Sequence, residues 1–319
     1  PKPEDNQKRG LAYFCHTDVV PAIRWDGPSS NPFQAMRKDD RVYGRGACDM
    51  KGSLAVMLSA IARVAMEQQR APLWVVCTAD EEIGFHGATH IVESCQGYRE
   101  LVQADPVSII GEPTELNVVY AHKGIRGLRF HSRGRAGHSA TGFGLNANEA
   151  MVPMLSKLLE LCHRTRNENE LQDHRFDPPT LSWNFGVSDH SKVVNITPER
   201  CDAWVSLRTM PEIAAESLME EAEETAHALG LTVSRLDGCD ALWNDPDSDF
   251  VLQFQSLAGT DKQTVCYATD GGVLNELSRL VVIWPGSIEQ AHTVNEWISI
   301  DQLCRGIDCY EKAIRRWCT

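Results

Sequence analysis

The amino-acid sequence predicts an α/β protein: a mixed, largely parallel sheet interrupted by an inserted ferredoxin-like domain of βαββαβ order. Two observations lead there. The outer parts of the chain carry short, nearly continuous apolar runs separated by a helical stretch, whereas the middle carries its own ordered series of strand and helix patterns. Unbroken apolar runs describe strands covered on both faces, and strands alternating with helices describe parallel pairing.

Taken in order, the runs are GLAYFC at 10–15, LWVVCTA at 73–79, VSIIGE at 107–112, TVCYAT at 264–269 and RLVVIW at 279–284. Between the first two, residues 49–69 repeat Leu54, Met57, Leu58, Ile61 and Ala65 at helical spacing, which predicts an amphipathic helix. From about 117 the pattern changes. A strand with basic edges (AHKGIRGLRFHSRG, 121–134) precedes a helix (147–164), two strands (180–189 and 201–210), a second helix (214–230) and a short strand (231–236). That order is βαββαβ. Residues 1–116 and 237–319 are therefore expected to form one domain, with 117–236 inserted as a second. The polar stretch TRNENELQDHRFDPP at 165–179 reads as a surface loop, and no internal repeat or low-complexity tract is visible.

At 319 residues the chain has enough apolar content for one large domain or two ordinary ones. A formal net charge of -13 without any basic block argues against a nucleic-acid or anionic-membrane surface, leaving a small solute or a metal ion as the expected partner. No apolar run approaches the roughly 18 residues that span a bilayer, and PKPEDNQKRG at the start lacks the apolar region of a signal peptide. A cytoplasmic protein is expected. Eleven cysteines, an odd number without repeating CxxC spacing, suit free thiols in a reducing compartment. Cys15 and Cys48 read as buried apolar fillers.

Chemically active residues gather where the strands end, and ligand sites of open α/β sheets form there because loops from separate strands converge. His16 and Asp18 follow the first run, Asp80, Glu81 and Glu82 the second, Glu112 the third and His292 the last, while Asp49 precedes the helix. Imidazole and carboxylate groups in this combination bind zinc or cobalt and suit a two-metal hydrolytic site. Taken singly, each has a plainer reading: a hydrogen-bonded surface histidine, a helix cap at Asp49, a solvated turn residue at Glu112. Their coincidence favours the metal, since independent surface residues have no reason to share one rim. His86, His90, His122, His163, His174, His190 and His227 have no such company and are assigned to structure or surface.

The motifs CHTDVVP, GRGACDMKG, ADEEIG, GEPT, RAGHSA, RTMP and GSIEQAH occur in that order from about residue 10 to the C-terminus. Together they resemble the M20 family of co-catalytic metallopeptidases and amidohydrolases. IIGEPTELNVVYAHKG and GSIEQAH resemble most the branch that hydrolyses N-acetylornithine. The resemblance implies a metal-dependent amidohydrolase acting on an N-acyl amino acid, with N-acetylornithine giving ornithine and acetate in arginine biosynthesis. Succinyl-diaminopimelate or a dipeptide is the alternative substrate, and a non-catalytic binding relative is the alternative class.

The same resemblance implies two divalent ions, zinc with cobalt as the alternative. Asp49 would bridge them, with His16 and Glu112 on one ion and Glu82 and His292 on the other. Glu81 becomes the general base, and Asp18 the acid that fixes the His16 tautomer. The inserted segment resembles the family's lid and dimerisation domain, so a homodimer is expected in which His138 reaches the partner's active site and stabilises the oxyanion. Asn195 and Arg208 are expected to grip the substrate carboxylate, and Thr269 with the TDGG glycines to line the pocket. Family members carry several dozen residues ahead of the strand that bears His16. This chain begins close to that strand, which predicts uncovered sheet surface and a lower melting temperature than a full-length relative.

Overall fold

The computed structural model describes residues 9–319. In chain order its elements begin with β1 (Leu11–His16), β2 (Met36–Lys38), β3 (Arg41–Tyr43), α1 (Lys51–Ala62), β4 (Leu73–Thr78), α2 (His86–Ser94), α3 (Gln96–Ala104), β5 (Val107–Ile110) and β6 (Val118–His122). Then come β7 (Gly124–Arg133), α4 (Asn148–Asn167), β8 (Ser182–Ser188), β9 (Arg200–Thr209), α5 (Ala215–Ala228) and β10 (Thr232–Cys239). The chain ends with β11 (Leu242–Trp243), α6 (Asp249–Ala258), β12 (Lys262–Val265), β13 (Leu280–Val282), β14 (Trp297–Ser299) and α7 (Ile300–Cys318).

These elements form two compact units. The first runs to His122 and takes in Leu242–Thr264 and Thr269–Thr319; the second comprises Lys123–Ala241 with Val265–Ala268. Both expected boundaries, 116/117 and 236/237, thus shift toward the C-terminus. The cause of the first shift is β6, which pairs with β13 and β11 and so belongs to the first unit's sheet.

That sheet has seven strands in the order β11-β6-β13-β5-β1-β4, with β12 pairing β6. β4, β1, β5 and β13 run parallel, as the unbroken apolar runs require. β1 is buried at every position. β4 pairs only with β1 among the described residues and is partly exposed, short of the two-sided cover expected for 73–79. One core cluster joins Leu11, Tyr13, Ile109 and Val281 of the sheet to Met57 of α1, Phe254 of α6, and Tyr310 and Ile314 of α7. Each side chain of this size stabilises the fold by about 1.5–3 kcal/mol on burial.

Other expectations move by a few residues, for physical reasons. The strand expected at 264–269 lies at Lys262–Val265, and Thr269 instead caps a 3-10 turn, its hydroxyl accepting from the Gly271 N–H. In α1 the buried residues are Ser53, Val56, Met57 and Ala60, whereas Leu58 is 52% exposed. Polar Ser53 is drawn inward by the Tyr13 hydroxyl, and Gly52 lets the helix close onto Ala47 and Trp284, where a Cβ would overlap the Ala47 carbonyl. Met50, not Asp49, occupies the N-cap position, without a side-chain cap bond. The three-stranded sheet β14-β3-β2 has no counterpart in the apolar pattern, its strands being three residues each and largely exposed at β2.

The second unit is a four-stranded sheet in the order β10-β7-β9-β8, antiparallel throughout, with α4 and α5 packed on it. Its βαββαβ order is the one read from the sequence. In β9, Cys201, Ala203, Val205 and Leu207 are buried, while the alternate Asp202, Trp204, Ser206 and Arg208 point to the other face. All eleven cysteines are free, with Cys15 and Cys48 buried. Among the described residues no helix is long and apolar enough to cross a membrane.

Candidate metal centre

Because β4, β1 and β5 are adjacent and parallel, their C-terminal ends open onto one rim. His16 is the last residue of β1, flanked by the loop after β4 with Glu81 and Glu82 and the loop after β5 with Glu112. His16 Nε2 lies 3.0 Å from Asp49 Oδ1 and 3.3 Å from Glu112 Oε1. His292 Nε2 lies 3.3 Å from Asp49 Oδ2 and 3.0 Å from Glu82 Oε2. One carboxylate, Asp49, therefore offers a separate oxygen to each half of the cluster. Donor atoms of His16, Asp49 and Glu82 all lie within 4.8 Å of one another. This triad crosses the expected partition into two ligand sets, which follows from Asp49 standing between them.

The surroundings set the charges. His16, Asp49 and Glu112 are buried, and His292 is exposed. Burial opposes a charge on His16, yet its hydrogen bonds to Asp18, Asp49 and Glu112 outweigh burial and raise its pKa. Hydrogen bonds to Asp49 and Glu82 raise His292 to about 10. Burial would lift Asp49 as well, but the two histidines hold it at about 2. Glu112 is pushed up to about 7 by burial and then by the Asp49 charge. Burial, followed by the Glu112 charge, raises Glu81 well above the usual carboxylate range. Among the described residues, every ion pair of Asp49, Glu82 and Glu112 is with His16 or His292. Several carboxylates thus share one site without lysine or arginine, an arrangement that favours a bound cation.

Local structure holds these groups in place. The turn after β4 closes through Gly84 and Phe85 N–H groups on the Glu81 carbonyl, and through Gly87 N–H on the Ala79 carbonyl at 2.9 Å. Asp80 adopts left-handed backbone, φ 59, and Gly87 leaves room that a Cβ would take from Ala79. His16 Nδ1 lies 3.1 Å from the Asp18 carbonyl and 3.5 Å from its carboxylate, whose other oxygen accepts from the Glu82 N–H at 3.2 Å. Asp18 thus orients the ring partly through its main chain. Indole Nε1 of Trp284 donates to the Cys48 carbonyl at 2.9 Å, bracing the loop before Asp49.

Two buried acids near the centre escaped the sequence reading. Glu296 is fully buried and accepts hydrogen bonds from the loop that ends in Asp49. Asp270, 3% exposed, accepts from the Thr78 hydroxyl at 2.7 Å, and burial raises its pKa to about 6. Asp270 directly follows the run expected at 264–269 and Glu296 directly precedes the short strand β14, but their partners are remote in sequence, so neither position shows its role; the one hint was an acid beside the glycines of TDGG.

The remaining expected residues lie elsewhere. His138, Asn195 and Arg208 belong to the second unit, whereas all five presumed ligands belong to the first. His138 and Asn195 sit on paired segments, Ser139 N–H donating to the Asn195 carbonyl at 3.0 Å, and Arg208 lies on the β9 face away from the buried alternation. Thr269 is buried in the first unit with its hydroxyl 3.0 Å from His122 Nε2.

The donor set fits divalent ions. Two imidazoles and three carboxylates match the ligand preferences of zinc and cobalt, and the buried Glu82 Oε1 has no hydrogen-bond partner, leaving it free to coordinate. Comparison with known proteins points the same way. The sequence profile of Peptidase family M20/M25/M40 matches residues 12–316. An acetylornithine deacetylase of Myxococcus xanthus is 32% identical over 322 residues, covering 98% of this chain and 81% of the relative. One of Pectobacterium atrosepticum is 33% identical over 308 residues, covering 91% and 76%. Among solved structures, the M20 family metallo-carboxypeptidase Sso-CP2 of Sulfolobus solfataricus matches with a TM-score of 0.76 at 18% identity, over 99% of this chain and 86% of that one. Human carnosine dipeptidase 1 matches with a TM-score of 0.69 at 17% identity, over 99% and 82%. At such identities the solved structures speak to the fold alone.

Proposed function

The chain belongs to peptidase family M20/M25/M40, whose members are metal-dependent hydrolases, and from that premise we propose that it removes the acyl group from an N-acylated amino acid, N-acetylornithine. The observation that carries this reading is the Asp49 carboxylate, each oxygen of which faces a different histidine. Relatives matching nearly the whole chain are named acetylornithine deacetylases, which supports N-acetylornithine over succinyl-diaminopimelate or a dipeptide. Product ornithine connects the reaction to arginine synthesis in the cytoplasm.

Held by His16, Asp49 and Glu112 on one side and Asp49, Glu82 and His292 on the other, two zinc ions, or cobalt in their place, would polarise an amide carbonyl and acidify water. Glu81 takes the proton from the attacking water and returns it to the leaving amine. In the metal-free chain burial, then the Glu112 charge, raises its pKa, so this carboxylate holds a proton more readily than an exposed glutamate does. Asp18 keeps His16 Nδ1 engaged, so that Nε2 faces the centre.

The second unit serves in this reading as lid and dimerisation domain. Val152 and Leu159 of α4 and Val187 of the edge strand β8 are 59%, 50% and 60% exposed, an apolar surface beside an unpaired strand edge that suits a second copy of the chain. His138 supplies the oxyanion donor across that dimer. Asn195 and Arg208 bind the substrate carboxylate, with Thr269 shaping the pocket wall.

The test is steady-state hydrolysis of N-acetylornithine, succinyl-diaminopimelate and a dipeptide set by the zinc- or cobalt-loaded protein, beside Glu81→Gln. N-acetylornithine should give the highest kcat/KM, and Glu81→Gln should lower kcat about 10²-fold or more. Equal rates in both proteins would remove Glu81 from its role, and no hydrolysis of any substrate would remove the activity.

A further inference from the structure

Glu296 lies in the segment that follows His292 and contributes nothing to the cluster directly. Its carboxylate is fully buried, and each oxygen meets two donors. Oε1 accepts from the N–H groups of Cys48 and Asp49 at 2.8 and 2.9 Å. Oε2 accepts from the Gly46 N–H at 3.0 Å and from Arg45 Nη1 at 2.8 Å. Its own carbonyl accepts from the Gly44 N–H at 3.1 Å, and Arg45 Nη2 donates to the Thr293 carbonyl at 2.9 Å. The segments 44–49 and 293–296 are thereby clasped together, although they come from opposite ends of the sequence.

The position of this clasp matters because each segment touches the cluster. Asp49 ends the first and His292 adjoins the second, and the two stand 3.3 Å apart. Within the first segment Gly46 adopts φ +85, a left-handed conformation that favours glycine, and a Cβ there would press on Val19 at 2.9 Å.

We infer that Glu296 is a positioning residue whose carboxylate sets the path of the loop ending in Asp49, and so holds Asp49 against His292 for metal binding. The inference rests on the two-ion reading given above. It depends on a carboxylate specifically. All four groups around Glu296 are donors, so an amide in either orientation would set its NH2 against two N–H groups. Glu296→Gln, elsewhere a mild change, therefore turns attraction into repulsion at half of the clasp.

The experiment is metal titration of the full chain with zinc and with cobalt, monitored by competition with a chromophoric chelator and by the visible spectrum of the cobalt-loaded protein. Glu296→Gln should bind one of the two ions at least tenfold more weakly, as substitutions behind metal ligands commonly do, and should alter the cobalt spectrum. If Glu296→Gln does not fold, Glu296→Asp carries the same test, since it keeps a carboxylate but, being one methylene shorter, cannot reach all four donors at once; the same loss is expected. Wild-type affinities and an unchanged spectrum in the folded variant would overturn the inference while leaving the two-ion reading intact. Failure of the wild-type chain to bind either metal would overturn both, and that outcome is recognised without any variant.

Discussion

His292 Nε2 stands 3.3 Å from Asp49 Oδ2, and His292 holds that position on left-handed backbone, φ 63. Such a conformation is uncommon for a residue with a Cβ and is retained only where the surroundings enforce it. His292 is also the one exposed member of the cluster. It closes the site from the solvent side, pairing Asp49 with Glu82 across it.

His292→Ala should therefore split the centre. Asp49 retains His16 through its other oxygen, so one ion should stay and the second should be lost. Metal analysis after dialysis is expected to fall from about two equivalents to about one, with kcat reduced by 10² or more. Two tightly held equivalents in the variant would exclude His292 as a ligand.

Stripping the metal should destabilise the first unit. Among the described residues, Asp49, Glu82 and Glu112 then have His16 and His292 alone to offset their charges. A ligand at a hundred times its Kd contributes about 2.7 kcal/mol, which corresponds to roughly 5–10 °C for a chain of ordinary domain size. Scanning calorimetry should show a fall of that order with EDTA and recovery with zinc; an unmoved transition would count against a resident ion.

The legibility of this site in the sequence follows from its chemistry. His16, Asp49, Glu82, Glu112 and His292 stand at the ends of apolar runs or at a helix start, and a parallel sheet brings such positions together whatever the intervening residues are. Their support was invisible for the opposite reason. Glu296 serves backbone N–H groups of a remote loop, which leave no trace in side-chain pattern. Ser53 likewise takes a core position of α1 outside the expected stripe of Leu54, Met57, Leu58, Ile61 and Ala65, because its partner is the hydroxyl of Tyr13 on another element. The insert was legible since its alternation and helical stripes are local, whereas β2, β3 and β14 are too short to show a period.

Asp270 should make the metal-free protein less stable as pH rises. Burial holds its pKa at about 6, above the roughly 3.9 of an unfolded aspartate. The fold therefore favours the protonated acid: its contribution is full below about pH 4 and is lost as pH rises through about 6, roughly 3 kcal/mol in all. Asp270→Asn keeps an acceptor for the Thr78 hydroxyl and cannot ionise. In EDTA the variant should match the wild type near pH 4 and exceed it at pH 7–8 in urea unfolding. Parallel pH profiles for the two proteins would refute the assignment.

Gly111 should prove sensitive despite lying outside the cluster. It precedes Glu112, and its N–H donates to the Phe14 carbonyl at 3.0 Å, continuing the β1–β5 pairing to the rim. A Cβ at Gly111 would overlap Ser53 Oγ and the Tyr13 hydroxyl and lie 2.8 Å from Met50 Cε. All three neighbours are fully buried, so none has space to retreat. Overpacking of this kind costs about 1–3 kcal/mol, and the backbone bearing Glu112 is the part left to move. Gly111→Ala should lower the melting temperature and weaken binding of the ion proposed for His16 and Glu112, on the order of tenfold. Gly97→Ala is the matched control: its Cβ would meet only Cys95 Sγ at 3.7 Å, inside α3, where alanine favours the helix by up to about 1 kcal/mol. Calorimetry and chelator competition on both variants separate the two cases. If Gly111→Ala behaves like Gly97→Ala, the packing behind Glu112 does not govern its placement.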